Sequence, residues 1–288
     1  MFNKAQVRYF LSSTYFQVLI LASSFLILFH HTFVELVKDW INDDNYSHGF
    51  LIPPISAFLI WQYKDKLSNT PVYASNIGLL LLGLGLSFFV ISNIAAELFC
   101  MRLSILIVLF GLVIYIGGKK SLKDLALPIG YLVFMIPLPA IVWNKIAFPL
   151  KMFATNLSTS AIQLLGIPVH REGNILHLDN MSLEVVDACS GLRSLTSLLA
   201  LSAAFALMSQ LKKTKKCTLF LSAIPIAILV NIIRLTGTAA LAQYYGQHVA
   251  QGFLHEASGI LVFILGLTFL FVVYLLLQKW PNEKNSAA

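Results

Sequence analysis

Six long apolar segments constrain this chain more than any other feature of its sequence. Each approaches the roughly 20 apolar residues that an α-helix needs to cross a bilayer. Only 11% of the 288 residues are charged, whereas a soluble domain has about 25%. The sequence therefore predicts a multi-pass membrane protein. The six segments are Tyr15–Val37, Ile77–Ala95, Met101–Ile116, Ser190–Leu211, Cys217–Ala242 and His255–Gln278.

Two further segments predict irregular crossings. Gly49–Trp61 is short and has two prolines near its start, and Leu125–Pro139 ends in a stretch broken by prolines. Together they predict an all-α fold, a polytopic membrane helix bundle of about eight transmembrane helices in one domain, residues 1–288. Ile141–Leu164 is interrupted by polar residues, which favours an interfacial or re-entrant helix over a ninth crossing.

Basic residues predict the orientation of these crossings. With both termini inside, the inner loops hold 13 Lys and Arg residues and the outer loops hold five, Arg102 among them. Such an excess is typical of cytoplasmic loops, so both termini are predicted to be cytoplasmic. Lys212–Lys216 is then expected to face anionic lipid, and no nucleic-acid partner is expected. No cleavage site follows Lys4 and Arg8, which predicts that the first span is a retained anchor.

The longest outer segment, Gly166–Ala188, predicts a small β-hairpin on the outer surface. Gly173 and Asn174 stand between two short runs in which apolar and polar residues alternate. This pair of residues is typical of a tight turn between two strands.

Cys189 is the first candidate for chemistry. It is predicted to stand at the outer N-terminus of a helix, with Arg193 four residues later on the same face. The helix N-terminus and the charge of Arg193 would both lower the pKa of the Cys189 thiol and favour the nucleophilic thiolate. The alternatives are a small buried residue or a disulfide with Cys100, while Cys217 is predicted to serve packing on the inner side.

Arg234 is the second candidate, since ionisable residues inside spans are costly and often functional. It lies roughly 26 Å along the helix from the inner end of its span, near the outer boundary. Asn231 precedes it by one turn on the same face. Together they form a set of donors that suits a carbonyl or a developing oxyanion. The alternative is an arginine that extends to the outer headgroups.

His255 is the third candidate and opens the final span at the outer interface. A histidine there can take and return a proton near neutral pH. The alternatives are a merely solvated side chain or another histidine as the base. Thiol, guanidinium and imidazole in one layer predict a cysteine-nucleophile acyltransferase or peptidase at the outer surface, with no metal or cofactor motif. The rival histidines are His48, His170, His177 and His248.

At these residues the sequence resembles the exosortases, a group of membrane cysteine transpeptidases. The similarity runs in the family's order over about residues 40 to 265. The main matching pieces are Ala188-Cys-Ser-Gly-Leu-Arg193, Asn231-Ile-Ile-Arg234, and His255 with Gly259. Supporting pieces are Asn45-Tyr-Ser-His-Gly49, Phe134-Met-Ile-Pro-Leu-Pro139, and Leu165-Gly-Ile-Pro-Val-His-Arg-Glu-Gly-Asn174.

The resemblance implies roles for the candidate residues. Cys189 would be the nucleophile, Arg234 the carbonyl or oxyanion partner and His255 the general acid and base. The supporting residues would be Arg193, Asn231 and His48.

The resemblance also implies a substrate class and a location. Substrates would be secreted proteins with a C-terminal sorting signal of the PEP-CTERM kind: a short motif, a transmembrane helix and a basic tail. Cleavage would form a thioester, followed by transfer to an acceptor that is lipid-linked or polysaccharide-linked. The site would face the periplasm from the bacterial cytoplasmic (inner) membrane, in systems that accompany exopolysaccharide production.

Two other functions compete with this one. An intramembrane cysteine protease would only hydrolyse its substrate. A non-enzymatic transporter would bind an anionic substrate through Arg193 and Arg234, although no internal repeat of the kind found in many transporters is visible.

Overall fold

Helices dominate the computed structural model, which describes residues 18–68, 75–179, 181–185, 191–246 and 253–280. Two 3-10 helices, Asp44–Leu51 and Leu132–Met135, interrupt the α-helices. The α-helices of the described ranges are α1 Val18–Leu28, α2 His30–Asn42, α3 Ile52–Gln62, α4 Lys64–Ser68, α5 Asn76–Ile94, α6 Leu98–Tyr131, α7 Ala140–Leu164, α8 Leu192–Met208, α9 Lys213–Tyr245 and α10 Phe253–Lys279.

Four of the described helical segments are long and apolar enough to cross a membrane. They are α5, α6 with the 3-10 turn that follows it, α9, and the part of α10 over Gly259–Lys279. The pair α1 and α2 adds a fifth if it is counted as one crossing bent by 59°. The predicted all-α membrane bundle is therefore confirmed, whereas the count of eight crossings is not.

Helix α6 explains part of this difference. It joins Met101–Ile116 to the helical part of Leu125–Pro139, because the lysine-bearing loop predicted between them is itself helical apart from a break at Gly118. Gly118 has a φ of 74°, a conformation that glycine adopts without a steric penalty. The predicted break at the end of this segment is confirmed, since residues 136–139 follow the 3-10 turn without helical structure.

Three other helices correspond to segments that were predicted from the sequence. Helix α3 has 11 residues and carries proline in its first turn, which suits a helix start. Helix α8 has 17 residues and is apolar but shorter than the predicted span Ser190–Leu211. Helix α7 covers the segment predicted to be interfacial or re-entrant as one 25-residue helix, and its relation to the membrane stays a prediction.

The predicted hairpin is present within a three-stranded antiparallel sheet. Strands β1 Val169–Glu172, β2 Ile175–Leu178 and β3 Met181–Glu184 pair in sequence order. The turn between the first two is formed by Gly173 and Asn174, and Gly173 has a φ of +62°. The third strand was not predicted. Leu176 and Leu178 on β2 are buried in one cluster with residues of α7 and α9, so the sheet packs on these helices.

A central apolar cluster connects the first half of the chain to α8. Its buried members come from α2, both 3-10 helices, α3, α6 and α8. Trp40 on α2 donates a hydrogen bond from its indole Nε1 to the carbonyl oxygen of Met135, at 2.9 Å. Asp43 accepts from the backbone N–H of Asn45 at 2.9 Å and begins the first 3-10 helix. These contacts hold the 3-10 helix Asp44–Leu51 between α2 and α8.

Substituting Gly49 by alanine tests this packing. A Cβ atom at Gly49 would overlap the indole ring of Trp40, so we expect Gly49→Ala to destabilise the protein by about 1–3 kcal/mol. Thermal unfolding in detergent measures the effect. The control is Gly83→Ala on α5, where a Cβ atom would meet nothing within 4 Å. An unchanged unfolding temperature for Gly49→Ala would contradict the packing described here.

Candidate active site

The chain around Cys189 enters α8 through an unusual backbone conformation. Cys189 lies in residues 186–190, outside the described residues. The next described residue, Gly191, has a φ of +83°, and α8 begins only at Leu192. The left-handed conformation of Gly191 marks the N-terminal limit of this helix. The placement of Cys189 relative to Arg193 and the role of Cys189 stay predictions.

Asn231 packs directly against the start of α8. A Cβ atom on Gly191 would lie 2.9 Å from both Cγ and Nδ2 of Asn231, a distance that only glycine accommodates. The Asn231 side chain is buried on α9. Leu150 and Ala154 of α7 border the same narrow space. The structure thus brings the polar face of α9 to the residue that follows Cys189 by two positions.

Arg234 and His255 occupy the elements predicted for them. Arg234 lies on α9 one turn after Asn231 and is half-buried. His255 lies in the first turn of α10, which confirms that it opens the last helix. The His255 side chain lies outside the described part of the structure.

The first 3-10 helix forms two polar contacts with α8. Arg193 donates from Nη2 to Oδ2 of Asp44 at 3.0 Å. One turn further along α8, the Ser197 hydroxyl lies 3.4 Å from Nδ1 of His48. Both elements advance by four residues between the two contacts, so they run side by side. His48, predicted as a supporting residue, therefore contacts α8 one turn after the contact made by Arg193.

Asp44 was not identified from the sequence. The available signal was its position next to the segment Asn45–Gly49, which resembles a family motif, but no spacing rule connects residues 44 and 193. Their ion pair is largely exposed, with side chains 76% and 41% accessible. An exposed pair contributes about 0–1 kcal/mol, so it orients Arg193 more than it stabilises the fold.

Burial lowers the pKa of His48, because an imidazolium loses hydration inside the protein. Hydrogen bonds to the backbone of Phe134 and Asn45 oppose this effect without reversing it. His48 lies between α2 and α3, outside the helices that could cross a membrane. Its burial therefore favours the neutral imidazole beside α8.

Two of the rival histidines belong to the sheet. His170 and His177 are cross-strand partners on β1 and β2. The Nδ1 atom of His177 lies 2.7 Å from the Ser182 hydroxyl, and its Nε2 lies 3.4 Å from a carboxylate oxygen of Glu172. His177 is thus engaged within the sheet, and the rival His248 lies outside the described residues.

The remaining cysteines carry free thiols. Cys100 is half-buried, and Cys217, which was predicted to serve packing on the inner side, has an exposed side chain. Among the described residues, no group of three or more His, Cys, Asp or Glu side chains could hold a metal ion.

Comparison with known proteins gives one match. A family model described as transmembrane exosortase matches residues 40–272, which is most of the chain. No curated protein and no solved structure matches. The matched range includes every residue of the predicted site, namely His48, Cys189, Arg193, Asn231, Arg234 and His255.

The buried position of His48 predicts a pH dependence of stability. Its lowered pKa means that the unfolded chain binds a proton more readily than the folded one. We expect the unfolding temperature to fall as the pH drops through about 6.5, the ordinary histidine value. In His48→Gln this fall should be smaller. Thermal unfolding between pH 7.5 and 5.5 measures it, with the exposed His30→Gln as the control that keeps the wild-type slope. Equal slopes in wild type and His48→Gln would contradict the assignment.

Proposed function

The chain belongs to the transmembrane exosortase family, and we propose that it is a membrane-embedded cysteine transpeptidase. Its substrates are secreted proteins that end in a short motif, a transmembrane helix and a basic tail. The observation that carries the proposal is the contact between Asn231 and Gly191. It joins the polar face of α9 to the chain immediately after Cys189, as a shared active site requires.

The proposed reaction begins with attack of the Cys189 thiolate on the carbonyl carbon at the scissile bond. Asn231 and Arg234 donate hydrogen bonds to the oxyanion that develops. His255 protonates the leaving amine, and a thioester to Cys189 remains. His255 then removes a proton from the acceptor, which attacks the thioester and displaces the Cys189 thiolate, so that the starting state is restored.

Two arguments support a location for this reaction: the excess of Lys and Arg residues in the predicted inner loops, and the acyl-transfer chemistry. We place the protein in the bacterial cytoplasmic membrane, with cytoplasmic termini and a periplasmic active site. A substrate whose basic tail stays inside would present its motif at the outer leaflet. The acceptor is lipid-linked or polysaccharide-linked, consistent with a role in exopolysaccharide-producing systems.

Replacing the nucleophile tests the proposal. With a tagged substrate that ends in a Pro-Glu-Pro motif, a transmembrane helix and a basic tail, Cys189→Ala should reduce processing roughly 10⁴-fold or more. Cys189→Ser should also accumulate precursor. The control Cys100→Ala should process normally, and immunoblots of the membrane fraction should show equal enzyme levels. Normal processing by Cys189→Ala would eliminate the thiol mechanism.

The same assay separates transfer from hydrolysis and from transport. Mass spectrometry of the product C-terminus should find an added moiety. A free carboxylate would support an intramembrane protease. Unprocessed substrate with the wild-type enzyme would favour a transporter that binds anions through Arg193 and Arg234.

Two histidine variants test the proton-transfer role. His255→Ala should lower the processing rate about 10²- to 10⁴-fold, the usual contribution of a general acid and base. His248→Ala, the matched control from the preceding segment, should stay close to wild type. Pulse-chase labelling of the tagged substrate gives both rates, and the reverse pattern would assign the role to His248.

A further inference from the structure

A large open cavity borders the first 3-10 helix, with Tyr46 in its lining. Its volume is about 620 Å³, within the roughly 300–1,000 Å³ typical of ligand pockets. The end of α2, the start of α6 and the proline-broken segment before α7 form its walls. Ala96 at its edge has a φ of 53°, uncommon for a residue other than glycine and often found near functional sites.

Arg102 is the central polar group of this cavity. It was counted as an outer-loop residue from the sequence, but the structure buries it on α6 with 3% of the residue exposed. Its Nη2 lies 2.7 Å from Oδ2 of Asp39 on α2. This contact balances the buried charge, because an unpaired buried guanidinium would be strongly destabilising.

The ion pair leaves buried nitrogens of Arg102 without a hydrogen bond. Nη2 lies close to Asp39 but does not form a hydrogen bond, and the Nε–H has no hydrogen-bond acceptor among the described residues. A buried donor without an acceptor costs about 1–3 kcal/mol and requires an explanation. A ligand oxygen in the cavity would provide the missing acceptor.

The lining indicates what kind of ligand this oxygen belongs to. The carboxylates of Asp39, Asp43 and Glu97 outnumber the single guanidinium, so an anionic ligand is disfavoured and a neutral carbonyl is favoured. The rings of Tyr46 and Trp143 lie 5.3 Å apart at the wall. Aromatic walls of this kind bind extended peptide chains, whose backbone also provides carbonyl groups.

The cavity and the candidate active site share one wall. Tyr46 lines the cavity, and its hydroxyl oxygen accepts a hydrogen bond from the backbone N–H of Leu138 at 3.1 Å. On the same 3-10 helix, Asp44 and His48 contact α8. A peptide in the cavity would therefore approach the start of α8.

We propose that this cavity is a substrate-binding subsite that holds an extended peptide segment, with Arg102 Nε–H donating to a main-chain carbonyl oxygen. This inference rests on the proposed function, because the peptide is the substrate segment that precedes the cleaved bond.

Photo-crosslinking tests the occupancy of the cavity in the intact enzyme. A benzophenone amino acid replaces Ile141, an exposed residue at the cavity wall, in the Cys189→Ala background. The tagged Pro-Glu-Pro substrate should crosslink at this position. The matched control is Leu164, equally apolar and exposed but roughly 35 Å away at the other end of α7. Equal or absent crosslinking at Ile141 relative to Leu164 would overturn the proposal.

Arg102→Lys tests the hydrogen bond itself. Lysine keeps the charge opposite Asp39 but lacks the Nε–H of the guanidinium group. In proteoliposomes, the substrate density for half-maximal processing should rise about tenfold or more, while the maximal rate stays the same. A merely structural role would instead change the maximal rate or the enzyme level. Lys38→Gln, outside the cavity, should change neither value.

The outcomes distinguish this inference from the function on which it rests. Loss of processing in Cys189→Ala together with wild-type behaviour of Arg102→Lys would overturn the subsite alone. Normal processing in Cys189→Ala would overturn the proposed function, whatever the crosslinks show.

Discussion

Backbone groups that leave water must find partners within the chain, and this requirement governs the whole structure. Long helices satisfy it by their own hydrogen bonds, so the few places where helices break need partners from elsewhere. At the break after α6, Trp40 donates to the Met135 carbonyl and Tyr46 accepts from Leu138 N–H. At the break before α8, Gly191 permits contact with Asn231. Polar side chains thus satisfy the backbone at the first break, whereas the second break needs a residue without a side chain.

One short segment connects both sites. Asp39 at the end of α2 pairs with Arg102 on α6, and Asp44 on the 3-10 helix pairs with Arg193 on α8. The two ion pairs differ in environment, because Arg102 is buried whereas Arg193 is half-buried and its partner Asp44 is exposed. Breaking the first would leave an uncompensated charge inside the protein, whereas breaking the second would leave charges in water. The first pair therefore holds helices together, and the second orients a side chain.

Some elements could be predicted because their cause is local. The two-residue turn at Gly173 needs only its own sequence, and so does the break at the prolines after Met135. The third strand of the sheet could not be predicted, since β3 is short and is stabilised by pairing with β2. The count of eight crossings was not confirmed for a similar reason. Apolar composition identifies membrane helices, but Gly118 bends α6 while its helix continues, and composition does not distinguish a bend from a loop.

Residue type and order were enough to predict an all-α membrane protein and a family resemblance at Cys189, Asn231, Arg234 and His255. Three contacts became visible only in the folded chain. Asn231 meets Gly191, Asp44 meets Arg193, and Arg102 is buried in a cavity wall beside Asp39. Each of these contacts joins residues on different elements. Their proximity depends on how the helices pack, and no local pattern encodes that packing.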